Sequence, residues 1–259
     1  ALALERARLR REVAEARLRE QGEALREALL NSVSHDLRTP LAVILGSATT
    51  LEGLGEGAAP AARRELSAAI REEAERLSSY IENVLDLTRI RAGQLSPRLE
   101  LVELSDIVNA ALRRKQRALA AHRVEVRLPA DLPMLRLDLF LMEHALANAL
   151  DNAAKYSPEG STVTVAAARE GAEVRLSVTD AGRGMDAALL AHAFEPFHRG
   201  GPADGRAVAG SGLGLAICRA FVQANGGRVA LASAGAGRGS ELAMHLPVPE
   251  IEVAGVDDD

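Results

Sequence analysis

The chain has 259 residues, a formal net charge of -5 and 47% hydrophobic residues, enough for one or two domains whose cores need no covalent staples. Aromatics make up only 2% and tryptophan is missing, so any core is packed from Leu, Val, Ile and Ala, and negative charge without stacking rings argues against nucleic acid as a partner. Cys218 stands alone, which excludes an intrachain disulfide and a cysteine zinc site and fits a reducing compartment.

Residues 1–30 are rich in Arg, Glu, Ala and Leu, with apolar residues at Leu2, Leu9, Val13 and Ala16, then at Leu18, Leu25, Leu29 and Val33. The spacing is coiled-coil-like with a phase shift near residue 17. It reads either as a plain amphipathic helix or as a helical linker over 1–29 that passes a signal onward. The pattern continues through Leu37, Leu41, Ile44, Leu45 and Ala48 and breaks at EGLGEGAAP, residues 52–60. A second helix is expected from Leu66 through Leu87, ended by Gly93. Together they predict an αα-hairpin over 30–95 that cannot enclose its own apolar stripe, so pairing of two copies into a four-helix bundle is the economical solution. No apolar run approaches the roughly 18 residues needed to cross a bilayer, and the chain opens in mid-pattern. If the protein senses anything outside the cell, the sensing and membrane segments are expected on residues outside this sequence.

From about residue 99 the texture changes. The stretch from Leu99 to Asp138 reads strand, helix, strand, with the basic run RRKQR at 113–117 on a solvated helix face. LMEHALANALDNAAKYS reads as a helix, and TVTVAAAR and EVRLSVTD alternate as strands around a turn at Glu170 and Gly171. A glycine-rich region precedes the helix GLAICRAFVQANG and the strands GRVALAS and SELAMHLP. This order predicts an α/β sandwich over 99–249, followed by an acidic tail at 250–259. The segment 185–209, which holds GGPADGR, reads as a mobile lid.

The chemistry-bearing residues begin with two glycine segments, DAGRGM at 180–185 and GSGLGL at 210–215. Such turns let backbone N–H groups approach phosphate, particularly where a helix starts. Neither is a P-loop, because neither lysine follows a glycine, and neither has the GxGxxG spacing of a dinucleotide site. Alone, each is an ordinary loop. In NALDN, Asn148 and Asn152 stand four apart on one helix face, with Lys155 a turn later. Carboxamide oxygens suit Mg²⁺, which binds nucleotide phosphates while keeping most of its waters. The alternative is that they cap or bridge loops. Asp180 ends a strand before two glycines and offers an acceptor for an amino group such as adenine N6.

Taken in order, Asn-x3-Asn, Asp-x-Gly-x-Gly, FEPFHR at 194–199 and Gly-x-Gly-x-Gly-Leu resemble the N, G1, F and G2 boxes of the histidine-kinase ATP-binding domain, within the gyrase, Hsp90, histidine-kinase and MutL-type superfamily. The resemblance covers about residues 100–248. SHDLRTPL at 34–41 resembles the H box of the same kinases, and the hairpin resembles their dimerisation and phosphotransfer domain. SVSHDLRTPLAVILGSATTL is similar in particular to the potassium-sensing, Kdp-type branch. An imidazole on an exposed helix face can act as a nucleophile when its second nitrogen is held by an acceptor. Whether Asp36 reaches the His35 ring depends on rotamer, and Pro40, lacking an N–H, is expected to bend the helix there.

The resemblance implies that Asp180 takes adenine, that Asn148 and Asn152 surround Mg²⁺, and that the backbone of Gly210, Gly212, Leu213 and Gly214 lies against the ATP phosphates, with Gly182 and Gly184 shaping the turn after Asp180. It implies His35 as phosphoacceptor, Asp36 orienting or deprotonating it, and Thr39 orienting a water for dephosphorylation of the partner, a separate response regulator. Lys155 and Arg199 would neutralise phosphate charge and Tyr156 would line the pocket, although surface or packing roles remain open for all three. It also implies a homodimer, a possible Kdp-type regulator, and a cytoplasmic position on an inner-membrane sensor. Two rivals are an ATPase clamp of the same superfamily and a catalytically silent dimeric docking module. His122, His144, His192 and His245 are expected to be structural, and His198, in the F box, to lie near nucleotide. Ser240 stands where the family more often has threonine.

Overall fold

The computed structural model describes residues 37–54, 59–198 and 211–249, so His35, Asp36, Arg199 and Gly210 lie outside the described residues, as do the linker 1–29 and the tail 250–259. The chain divides into two compact units between Glu82 and Asn83. In the first, residues 37–53 are helical (α1) and the helix runs through Pro40. Helix α2 spans Pro60–Arg91 and crosses the division between the units. Proline suits its first position, where the N–H would be unpaired in any case. Leu41, Val43, Leu45 and Ile81 are 47%, 42%, 58% and 46% exposed in the single chain, the unsatisfied apolar surface expected of half a bundle.

The second unit opens with the last turns of α2 and continues as β1 (Glu100–Val102), α3 (Leu104–Arg114), β2 (Arg123–Arg127), β3 (Leu135–Leu137), α4 (Leu139–Tyr156), β4 (Thr162–Glu170) and β5 (Glu173–Asp180). After these come α5 (Ala187–His192), α6 (Gly214–Ala224), β6 (Arg228–Ala232) and β7 (Ser240–Pro247). Five strands form a mixed sheet in the order β2-β4-β5-β7-β6, with β2 parallel to β4 and the other pairs antiparallel. Alternation places Val163, Val165, Val174, Leu176, Leu242, Met244 and Leu246 on the covered face. Helix α4 packs on β4 and β5 between α3 and α6, giving the expected α/β sandwich. Leu146, Leu150 and Ile217 are fully buried from the helix side. Among the described residues no helix is long and apolar enough to cross a membrane.

Three expectations need correction. The Leu99–Asp138 stretch contains an additional strand, β3, which pairs antiparallel with β1 as a two-stranded sheet. Part of the expected lid is helix α5, because Asp186 caps it by accepting the Leu189 N–H at 2.7 Å. The run RRKQR is not wholly solvated: α3 ends at Arg114, and Lys115 turns inward to donate to Asp151 at 2.9 Å with its side chain only 17% exposed.

Leu176 tests the aliphatic layer. Leu176→Ala should cost about 2–5 kcal/mol in urea unfolding, whereas Leu101→Ala, 59% exposed, should cost less than about 0.5. Equal losses would contradict the assignment of the covered face.

Candidate functional site

Helix α4 is aimed by a polar hub at its start. The Asp138 carboxylate caps it through Leu141 N–H (2.9 Å) and also accepts from Arg98 N–H (2.8 Å). Asp138 N–H in turn donates to Asn225 Oδ1 at 2.6 Å, and the buried Asn225 closes on Phe221 O at 2.8 Å at the end of α6. The hub fixes α4 against α6, so that Asn148 and Asn152, one turn apart, face the start of α6. A side-chain carbon on Gly214, the first residue of α6, would stand 3.3 Å from Asn148 Oδ1.

The opposite wall is the turn Asp180–Met185. Gly182 N–H donates to Asp180 Oδ1 (2.7 Å), and Arg183 N–H donates to the carbonyl of Tyr156, the last residue of α4 (3.1 Å). Met185 N–H donates to Ser233 Oγ (2.9 Å). Gly184 has φ 66° and faces the Gly235 carbonyl so closely that no side chain fits. A third wall joins the F-box turn to the second glycine segment: Phe197 N–H donates to Gly212 O at 2.9 Å, and Gly212 has φ 68°. Arg219 of α6 steadies this turn by donating to Phe194 O at 3.2 Å.

These walls line a cavity of about 120 Å³ within a concavity of about 1050 Å³ that opens to solvent. Asn148, Asn152, Lys155, Tyr156, Asp180, Gly184, Gly212 and Gly214 all line it, as does His198. Gly182 lines a neighbouring cleft instead, and Leu213 is buried behind the wall. Thr39 belongs to the other compact unit. The sequence reading missed Asn83, Arg183 and Met185, which also line the cavity. Arg183 carried one signal, its place between the two glycines that follow Asp180. His144 and His245 lie elsewhere, His144 Nδ1 3.7 Å from Asp86 and His245 Nδ1 3.5 Å from Glu173.

Burial raises the Asp180 carboxyl above its ordinary value of 3.8, against hydrogen bonds from Gly182 and Ser240 that favour the charged form. The neighbouring buried Ser157 hydroxyl favours the charge by proximity but completes no hydrogen bond of its own. A carboxyl raised on folding holds its proton better folded than unfolded, so stability falls as pH rises from the unfolded value through the raised one. Asp180→Asn has no charge to bury. It should be at least as stable as the parent near neutral pH, with any advantage shrinking toward pH 3.8, as read from denaturant midpoints. An advantage that grows on acidification would contradict this.

Comparison with known proteins agrees with this geometry. Residues 138–250 match the family described as histidine kinase-, DNA gyrase B-, and HSP90-like ATPase, and residues 25–93 match the His kinase A (phospho-acceptor) domain. Sensor protein KdpD of Clostridium acetobutylicum is 34% identical over 95% of this chain, which spans 27% of that protein's length. The solved mycobacterial sensor histidine kinase MprB is 30% identical, covering 58% of this chain and 97% of that one at a TM-score of 0.51. Full-length ShkA in complex with AMPPNP is 29% identical, covering 85% of this chain and 45% of that one at a TM-score of 0.59. With a phosphoacceptor-type helical domain followed by an ATPase-type sandwich, the chain belongs to the sensor histidine kinases.

Proposed function

We propose that this chain uses Mg·ATP to phosphorylate His35 and then passes the phosphoryl group to an aspartate of a separate response regulator. The observation that supports this reading is the cavity that gathers Asn148, Asn152, Asp180, Gly184 and Gly212 from three separate segments. Asp180 accepts the adenine amino group at one end. At the other, the Gly210–Gly214 backbone and the start of α6 favour phosphate, with Lys155 and Arg199 neutralising charge.

Mg²⁺ fits the donor set. Asn148 and Asn152 offer hard carboxamide oxygens, and the missing side chain at Gly214 leaves room between Asn148 and the α6 terminus. When bound, Mg²⁺ neutralises phosphate charge. The protein's part is to hold ATP so that a His35 nitrogen meets the γ-phosphorus in line. A nitrogen–phosphorus bond forms as the bond to the bridging oxygen breaks, ADP leaves, and the ring proton passes toward Asp36. Asp36 and Thr39 orient water for hydrolysis of the regulator's aspartyl phosphate. The chain acts as a homodimer through its hairpin, as the cytoplasmic part of an inner-membrane sensor. Its likeness to KdpD supports potassium or osmotic signalling and a Kdp-type regulator.

Incubation with γ-labelled Mg·ATP tests the reading. The chain should acquire label stable to alkali and lost in acid, His35→Gln none, and Asn152→Ala at least about 100-fold less. ATP hydrolysis without protein label would favour the clamp reading, and nucleotide binding with neither activity the docking module. Thr39→Ala should separate the two reactions, losing dephosphorylation of the regulator while His35 labelling continues. Loss of both would contradict the role given to Thr39.

A further inference from the structure

The turn that carries Asp180 also carries a cation aimed at an aromatic ring. The Arg183 guanidinium carbon lies 4.5 Å from the centroid of the Tyr156 ring, and Lys155 Nζ lies 5.1 Å from it. Both distances fall within cation–π range. The Arg183 backbone is fastened on both sides: its N–H donates to Tyr156 O at 3.1 Å, and its carbonyl accepts Gly237 N–H at 2.6 Å. Beside it, a side chain on Gly182 would stand 2.5 Å from Tyr156 O, so the turn presses directly on the end of α4. Guanidinium and ring are thus members of one clamp.

Tyr156 and Arg183 line both the main cavity and the neighbouring cleft, so together they form part of the partition between the two. Asp180 lies three residues before Arg183, and its carboxylate is bound to Gly182 N–H at 2.7 Å within the same turn. Arg183 therefore stands at the carboxylate end of the cavity, on a different segment from Gly212 and Gly214 at the start of α6. A cation held against a phenol ring draws on its π-cloud and makes the ring a better platform for an electron-rich purine.

We propose that Arg183 is a positioning residue for the adenine base, acting by holding the Tyr156 ring as a fixed wall of the nucleotide cavity. This rests on the reading that Asp180 takes adenine. Asp180 addresses the edge of the base, and the Arg183–Tyr156 pair its face, from a single rigid turn and the helix end bonded to it. The role belongs to base recognition and not to phosphate charge.

Calorimetric titration with adenosine and with ADP separates these roles, using the parent chain, Arg183→Leu, Arg183→Lys, Tyr156→Leu and the double variant. Arg183→Leu should weaken both ligands by the same factor, about 3- to 10-fold. Arg183→Lys should recover part of the loss, because it keeps the cation. In the Tyr156→Leu background, Arg183→Leu should cost less than about 2-fold further, since its route to the base is gone. A loss confined to ADP would make Arg183 a phosphate contact and overturn the proposal. So would no loss with either ligand, or losses that multiply in the double variant. Failure of the parent to bind adenosine and ADP would overturn the nucleotide reading itself. Far-UV circular dichroism of each variant identifies any loss due to unfolding, and the partial rescue by lysine then stands as the folded test.

Discussion

The site depends on one splice. The turn from Asp180 to Met185 is held by main-chain hydrogen bonds between the last carbonyl of α4 and the turn from Ser233 to Gly239. Arg183 N–H reaches Tyr156 O, Gly237 N–H reaches Arg183 O, and Gly239 N–H reaches Gly182 O at 3.0 Å. Asp180 itself is paired with Ser240 in the sheet, and the splice ties the turn that follows it directly to the end of the helix that carries the asparagines. Main-chain bonds suit the task, because they set position without adding charge to a cavity that must accept a polyanion. The close glycine contacts follow from it, since each side chain there would have to displace a carbonyl rather than a flexible neighbour.

The rest of the second unit keeps the two partners of the splice in register. Asp138 and Asn225 fix the far end of α4 to the end of α6, and the apolar layer of Leu146, Leu150, Leu176 and Ile217 fixes α4 against the sheet. The carboxamides of Asn148 and Asn152 thereby face the N-terminus of α6 across the cavity. Burial of Asp180 is the electrostatic cost of this arrangement. It raises the carboxyl's affinity for a proton and, by the same desolvation, strengthens any hydrogen bond it accepts from a bound amine.

Much of this was legible in the sequence, for physical reasons. The 3.6-residue period of α4 puts Asn148, Asn152 and Lys155 along one side, and strand alternation in TVTVAAAR and EVRLSVTD marks which residues face the core. Glycines at 184 and 212 announced tight turns, and both have positive φ. What stayed hidden was non-local or too short to leave a period. The Asp138–Asn225 bond joins residues 87 apart in sequence, and the Lys115–Asp151 pair joins residues 36 apart. Helix α5 has six residues and buries none of them, so it shows no apolar stripe, and β3 has only three residues. Arg183 was visible as a residue between two glycines, but its ring partner Tyr156 lies on another element.

Amide hydrogen exchange on the nucleotide-free chain tests the splice most directly. If the turn is built before nucleotide arrives, the amides of Arg183, Gly237 and Gly239 will exchange at least about 100-fold slower than unprotected amides. Exchange at unprotected rates until ATP is added would mean that nucleotide assembles the turn, and would contradict a preformed site.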